Sequence, residues 1–444
     1  MRKISFTFAG FLLVAAATAT FAVPIKGAQE ESRDPKVVFA KTLVPPTERS
    51  HKTYVVDTAR GSDTNDGSSG KPFKTIQKGV DVSIAGDTVL VKDGLYREEA
   101  DPHQSGVLFR RSGAPGAWIR VLAYPGDHPR VTSATWATFR PEDVAYIEIG
   151  GFDITTEKIE GQTDPSLQRN EGCGIYAVHA HHIWVHDNRV HDCGGGGIGS
   201  GYCDYLTVEN NETFRNAFYS IYDCSGISLW QNMDFDDKPG YHNIIRDNRS
   251  WENENKGPTP LNQGKLTDGN GIIIDGMLGK GAILIENNLC WNNGGRGIQV
   301  LGSRNVLIRN NTCAWNERTL EHDTSGPPSD LWAQASERCV LENNIVVARP
   351  GQKFVAGWQT KQITYKNNLF YGYEQVAPEV GADNLLGVDP RFKHAELGDA
   401  MPDFRLLSSS PAIGKAEPGS APDADILRKP RPKGQKADLG ALEH

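Results

Sequence analysis

Beyond residue 22 the chain lacks any run of about 20 apolar residues, so nothing there has the length of a membrane-spanning helix. Basic residues are in deficit. The chain has 47 Lys and Arg against 55 Asp and Glu, a net charge of −8. A nucleic-acid partner usually calls for a basic face, so this balance argues against one. It does not exclude an acidic ligand, because local charge decides that. Cysteine is sparse and odd in number, 7 in 444 residues, so at least one thiol is unpaired or bonded between chains. Also missing from the long middle of the chain is the apolar spacing of an amphipathic helix.

What fills that middle is a repeat. From Cys173 to Asn368 a short unit recurs, opening on a Gly-Ile strand and closing on a second strand that ends in Asn. The openings are GIYAV from Gly174, GIGSG from Gly197, GISLW from Gly226, GIIID from Gly271 and GIQVL from Gly297. The closing residues are Asn188, Asn211, Asn248, Asn288, Asn311, Asn344 and Asn368, separated by 23, 37, 40, 23, 33 and 24 residues. A period in the low twenties, sometimes lengthened, marks a solenoid. One two-strand rung cannot bury its inner face alone, but parallel stacking makes a continuous core. Asn at one place in successive rungs can form a ladder of side-chain amides. The cysteines recur near the same period, which suits either disulfides between rungs or small apolar residues in the core.

Residues 1–22 read as a secretory signal, with Arg2 and Lys3 before an apolar region from Phe6 to Ala17 and small residues near Ala19 and Ala22. The expectation is an exported, monomeric protein with no membrane span. Residues 23–51 read as a polar linker, 52–385 as the solenoid with its N-terminal cap, and 386–444 as a tail packed on the last rungs. The cap is a strand from Thr53 to Val56, then a short helix with Phe73, Ile76 and Val80 on one face. Such a helix covers the open end of a solenoid.

The start of the solenoid carries the order YVV, Gly-Ser-Asp-x-Asn-Asp-Gly, Lys-Pro-Phe-x-Thr-Ile-Gln, Ala-Gly-Asp-Thr-Val and Val-x-Asp-Gly-x-Tyr. It resembles the start of secreted right-handed parallel β-helix proteins of the pectin-lyase-like superfamily. The likeness is strongest to family-nine pectate lyases and their alginate-lyase-like relatives. The motifs at Asp389–Phe392, Asp403–Leu406, Ser410–Gly414 and Asp438–Ala441 resemble that superfamily's closing motifs. The resemblance implies an all-β, right-handed parallel β-helix acting on a polysaccharide, although this fold hosts lyases, hydrolases, epimerases and adhesins. The DGNGIIID run from Asp268 resembles the calcium segment of the family-nine enzymes. Their catalytic Lys lies in a strand of the type Asn-Gly-Phe-Lys; here that strand reads Gly-Arg-Gly-Ile-Gln and the Lys position is Gln299.

A regular rung has no room for a site, so the lengthened rungs carry the candidates. Insertions fall between Leu229 and Tyr241, between Trp251 and Asn270, and between Ala314 and Leu331. The first two belong to consecutive rungs and are expected to lie side by side. Asp236, Asp237, Asp268 and Asn270 could supply oxygen ligands to Ca2+. Lys265 or Arg296 could be the base of a β-elimination, and Lys238 a further cation. In a hydrolase, Asp237 with Asp268 or Asp275 could form a carboxylate pair. Strand alternation points Ile273, Asp275 and Gln299 outward. Trp230, Gln299, Lys238 and His186 are candidate sugar-binding residues, and Tyr241, Trp251, Trp291, Trp315 and Trp332 are further aromatics on the lengthened rungs. Five His lie between His179 and His191; His179 and His181 share a strand face and could bind one metal. The expected function is cleavage of a uronic-acid-containing polysaccharide by a lyase. The alternatives are a glycoside hydrolase, a uronate epimerase or a non-catalytic carbohydrate-binding protein.

Overall fold

The computed structural model describes residues 51–101, 105–157, 172–220, 222, 224–256, 266–319, 329–354, 357–376 and 380–444. The proposed signal and nearly all of the proposed linker fall outside these residues. Among those described, no helix is long and apolar enough to cross a membrane.

Each full rung has three strands, one more than the repeat suggested. Sheet I has eight strands and collects the Gly-Ile segments, from Ser105–Phe109 through Ile227–Trp230, Ile272–Asp275 and Ile298–Leu301 to Leu331–Gln334. Sheet II has eleven strands and collects the segments that end in the repeated Asn, such as His181–His186 and Tyr241–Arg246. Sheet III, also of eleven, collects short strands just after that Asn, such as Glu212–Phe214, Arg249–Trp251 and Leu289–Trp291. All three sheets are parallel, and the chain runs I, II, III and back to I. This is an all-β parallel β-helix. The extra strand escaped notice because most of its copies are three residues long, too short to show alternation.

Alternate residues of each strand point inward and stack into apolar columns. Ile175, Ile198, Ile227, Ile272, Ile298 and Leu331 form one column in sheet I, all fully buried. Each such side chain contributes about 1.5–3 kcal/mol relative to exposure. At the II–III corner the Asn ladder forms as expected. The Nδ2 of each Asn donates to the Oδ1 of the next, from Asn188 through Asn211, Asn248, Asn288, Asn311, Asn344 and Asn368 to Asn384, at 2.8–3.1 Å. A second ladder, Asn216, Asn253, Asn293 and Asn316, runs along the III–I corner at 2.8–3.0 Å. Its sequence signal is an Asn five residues after Asn211, Asn248, Asn288 and Asn311. All seven cysteines are free thiols, six of them buried.

The N-terminal helix spans Ile76–Val82, capped by the Thr75 side chain, which accepts from Lys78 N. Gly79 lets it lie directly on the first rung, since a Cβ there would come within 2.7 Å of Val89. At the other end, Phe404, Leu406, Ala412, Ile426, Leu439 and Ala441 pack on the outer face of sheet III. That face presents Phe214, Trp251 and Trp291, whose rings stack at 4.3 and 4.7 Å.

Candidate functional site

The outer face of sheet I carries two side-chain columns. One runs Tyr176, Gly199, Ser228, Ile273, Gln299, Trp332, and the other Val178, Gly201, Trp230, Asp275, Leu301, Gln334. The outward orientation of Ile273, Asp275 and Gln299 therefore agrees with strand alternation. Gly199 and Gly201 let the Tyr176 and Trp230 side chains lie across them. A Cβ at Gly199 would come within 2.6 Å of the Tyr176 ring, and one at Gly201 would lie 3.4 Å from Trp230. Tyr202 meets Trp230 edge-on at 5.0 Å.

The described ends of the two insertions meet sheet I at opposite corners. Loop 231–240 leaves the C-terminal end of Ile227–Trp230, at the I–II corner. Residues 266–271 enter the N-terminal end of Ile272–Asp275, at the III–I corner. The two strands are register partners, Ile227 with Ile272 and Trp230 with Asp275. The loops are thus not side by side, as neighbouring rungs suggested. A strand of four residues separates them, on the order of 13 Å.

Loop 231–240 is tied down by a dense polar network. The buried Asp204 accepts from Phe235 N at 2.6 Å and faces His242 Nδ1 at 2.9 Å. His242 Nε2 donates to Lys238 O at 2.9 Å. Asp234 accepts from Lys280 N at 2.7 Å and Gly281 N at 2.9 Å. Tyr205 Oη donates to Asp236 at 2.5 Å, and Lys238 pairs with Asp236 at 2.7 Å. Burial works to raise the Asp236 pKa, but the bonds from Lys238 and Tyr205 prevail and hold it well below the usual carboxylate range. For His242 burial acts downward, and the contacts with Lys238 O and Asp204 outweigh it and raise the pKa. Asp204, Asp234 and His242 bring ligand atoms within 4.8 Å of one another. Their oxygens already accept backbone N–H groups, which marks the trio as a loop clamp. Sequence reasoning missed Asp204 and Tyr205, which lie in a regular strand, and His242, which sits at a register shift between Tyr241 and Asn243.

The III–I edge holds a second cluster. Asn270 Oδ1 accepts from Arg296 N at 2.7 Å, and its Nδ2 donates to Asp268 at 2.8 Å and Ser225 at 3.2 Å. The Arg296 guanidinium lies 4.1 Å from the Trp332 ring centroid, contacts Gln299 Oε1 at 3.4 Å and pairs with Glu317 at 3.4 Å. Both charged side chains are enclosed, 7% and 9% exposed. Glu317 also accepts from Ser329 N at 2.9 Å and Gln352 at 3.3 Å. Nearby, Asp330 is pushed up to about 7 by its burial and by the charge of Glu317. Its signal was visible: Asp330 stands where the other rungs carry the Gly that opens the strand.

The structure therefore gathers Asp268, Asn270, Arg296 and Gln299 on one rim, and Asp236, Asp237 and Lys238 on the other, with Trp230 and Asp275 on the floor. The four oxygen donors considered for calcium are not gathered, and the side chains of Asn270 and Asp236 are already engaged. His186 lies in sheet II, off this face, bonded to Glu148 at 3.2 Å and Asp187 at 2.6 Å. Trp251, Trp291 and Trp315 are buried on the sheet III side. Lys265 lies outside the described residues.

Residues 265–381 match a family model described as a right handed beta helix region, and residues 59–254 one described as a protein of unknown function, DUF1565. The uncharacterized protein YwoF of Bacillus subtilis (strain 168) is 27% identical over 161 residues, which is 34% of this chain and 31% of that protein. The match thus spans under a third of this relative. Among solved structures, pectate lyase Pel9A superposes with a TM-score of 0.52 at 17% identity, covering 89% of this chain and 97% of that one. A rhamnogalacturonan lyase gives 0.50 at 17%, covering 82% and 96%. The chain is a right-handed parallel β-helix, the fold it shares with these two structures.

Proposed function

We propose that the protein is a secreted polysaccharide-degrading enzyme that cleaves a uronic-acid-containing polymer by β-elimination, in the trough over sheet I. The observation that carries this is the strand pair Ile227–Trp230 and Ile272–Asp275. The two insertions of the sequence join this pair at its opposite ends, and its outer face presents the partly exposed Trp230 and Asp275. Flat rings suit the apolar faces of sugars, and the cations on both rims suit an acidic polymer. The names of the two solved structures, lyases of pectate and of rhamnogalacturonan, support the same class.

β-Elimination requires a base for the proton beside the carboxylate and a cation for the charge that develops. Arg296 serves as the cation. It is paired with Glu317 and stacked on Trp332, and a substrate carboxylate competes with Glu317 for it. Lys265 is the candidate base and needs a lowered pKa to act. Calcium is assigned no step, because its expected ligands stand on different rims. A glycoside hydrolase is the second assignment. It is favoured by one observation: Asp275 faces outward at the rim that loop 231–240 leaves, which makes Asp237 with Asp275 the carboxylate pair.

The test is incubation of the purified protein with a panel of uronic-acid polymers, with calcium or with chelator, following the near-ultraviolet absorbance of the unsaturated product. A rise is expected. New reducing ends without that rise would move the case to the hydrolase. Neither signal on any acidic polymer would contradict the proposal.

A further inference from the structure

Two carboxyl groups of the III–I rim hold each other's chain segments. Asp330 accepts from Asn316 N at 2.7 Å, and Glu317 accepts from Ser329 N at 2.9 Å. The ends of the third insertion are thus laced together by their own acids. Asp330 also accepts from Tyr373 Oη at 3.3 Å. It is wholly enclosed, and Glu317 nearly so. Its register partners in the preceding rungs are Gly297, Gly271 and Gly226, so the strand itself does not call for an acid here.

Two acids enclosed together need cations if both are to ionise. Arg296 pairs with Glu317 at 3.4 Å. Arg349 feels the charge of Asp330, but it donates to Trp315 O at 2.7 Å, Asn316 O at 3.1 Å and Asn292 Oδ1 at 2.9 Å, which fixes it in place. Arg318, beside Arg349, is paired with Glu254 at 2.6 Å. The Tyr373 phenol and the Cys313 thiol also face Asp330; burial pushes both up, so neither ionises near neutral pH. Burial and the charge of Glu317 bring Asp330 to about 7, against the bonds from Asn316 and Tyr373, which act downward. Asp330 is therefore the member of this cluster that exchanges a proton near neutrality.

A substrate carboxylate on Arg296 adds one negative charge to the enclosure, and a further negative charge raises the proton affinity of a nearby acid. We propose that Asp330 takes up a proton as an acidic sugar docks on Arg296, which keeps the enclosed charge balanced. The proton comes from solvent and goes to the Asp330 carboxylate; no bond of the sugar changes. Asp330 is thus a positioning residue. It lets Glu317 stay ionised and Arg296 stay oriented while another carboxylate arrives. This rests on the reading of Arg296 as the cation that meets the substrate. Linkage fixes the sign: a ligand that raises a group's pKa binds with proton uptake, and its affinity falls as pH rises past the free group's pKa.

The test is calorimetry of the full-length protein with digalacturonate, dimannuronate and diguluronate, in phosphate and in Tris buffer. A tenfold gain in proton affinity registers as about 0.4 proton taken up at pH 7 and at pH 8 and about none at pH 5, with affinity about threefold weaker at pH 8 than at pH 7. Infrared difference spectra at pH 8 should gain a protonated-carboxyl band on binding. Asp330→Asn keeps an acceptor for Asn316 N, and should bind with no uptake, no such band and equal affinity at the two pH values. Tyr373→Phe removes a bond that favours the carboxylate, and should move the uptake to higher pH; it carries the test if Asp330→Asn fails to fold in a thermal melt. Equal enthalpies in the two buffers, or uptake that persists in folded Asp330→Asn, would overturn the proposal and leave the uronate reading standing. No binding of any of the three sugars would overturn that reading and the proposal with it.

Discussion

The same rungs present aromatic residues on two faces, with opposite outcomes. On sheet III, Phe214, Trp251 and Trp291 stack in register and are sealed under the C-terminal tail. On sheet I, Tyr176 and Trp230 lie over Gly199 and Gly201, each only partly buried. Aromatic rings thus serve packing on one face, while Tyr176 and Trp230 stay partly exposed on the other. The difference lies in the order of residues down each column. The short sheet III strands bring large rings into vertical register, a surface stable only when covered. The sheet I strands alternate rings with glycines, so a ring lies across a glycine instead of stacking in register on another ring.

The comparison can be broken from either side. Trp291→Ala should cost about 3–5 kcal/mol of stability, seen as a lowered melting temperature, while oligosaccharide affinity per folded molecule stays unchanged. In the trough, Arg296→Gln with Glu317→Gln should lower turnover about 100-fold with little change in melting temperature, since removing both partners leaves no lone buried charge. Trp230→Ala should weaken oligosaccharide binding by about 1–2 kcal/mol in calorimetry, with a stability change of about 0.5 kcal/mol or less. Lys238→Ala should have the smallest effect on affinity, fading as salt is added, because the side chain is 74% exposed.

Sheet II offers a pH control outside both faces. Burial pulls the His186 pKa down, but its bonds to Asp187 and Glu148 outweigh this and bring it to about 9, from an ordinary 6.5. A raised folded pKa contributes stability that is full below pH 6.5 and lost as pH rises through about 9. Melts from acid to alkaline pH should show the gap between the parent and His186→Gln closing across that window.

Much of the fold was legible because single residue types do single jobs. The repeated Asn is the ladder, and the Gly-Ile starts are sheet I. The three-residue strands of sheet III were not legible, because three residues show no alternation. The candidate site was legible by rung but not by corner. Spacing placed Asp236 and Asp268 in lengthened rungs, yet one insertion comes after a sheet I strand and the other precedes one, and this sets them on opposite rims. Arg296 and Gln299 came together because the turn and the strand it enters are only three residues apart. Glu317 and Asp330 joined them from the next rung, through a contact that only stacking creates.

The most direct test of the trough is hydrogen–deuterium exchange with and without a uronic-acid oligosaccharide too short to be turned over. Protection is expected in peptides covering 198–201, 227–240, 272–276 and 296–301, with the tail from 404 to 442 unchanged. Protection confined to sheet II or to the tail, with the sheet I peptides unchanged, would contradict the assignment of the substrate to this face.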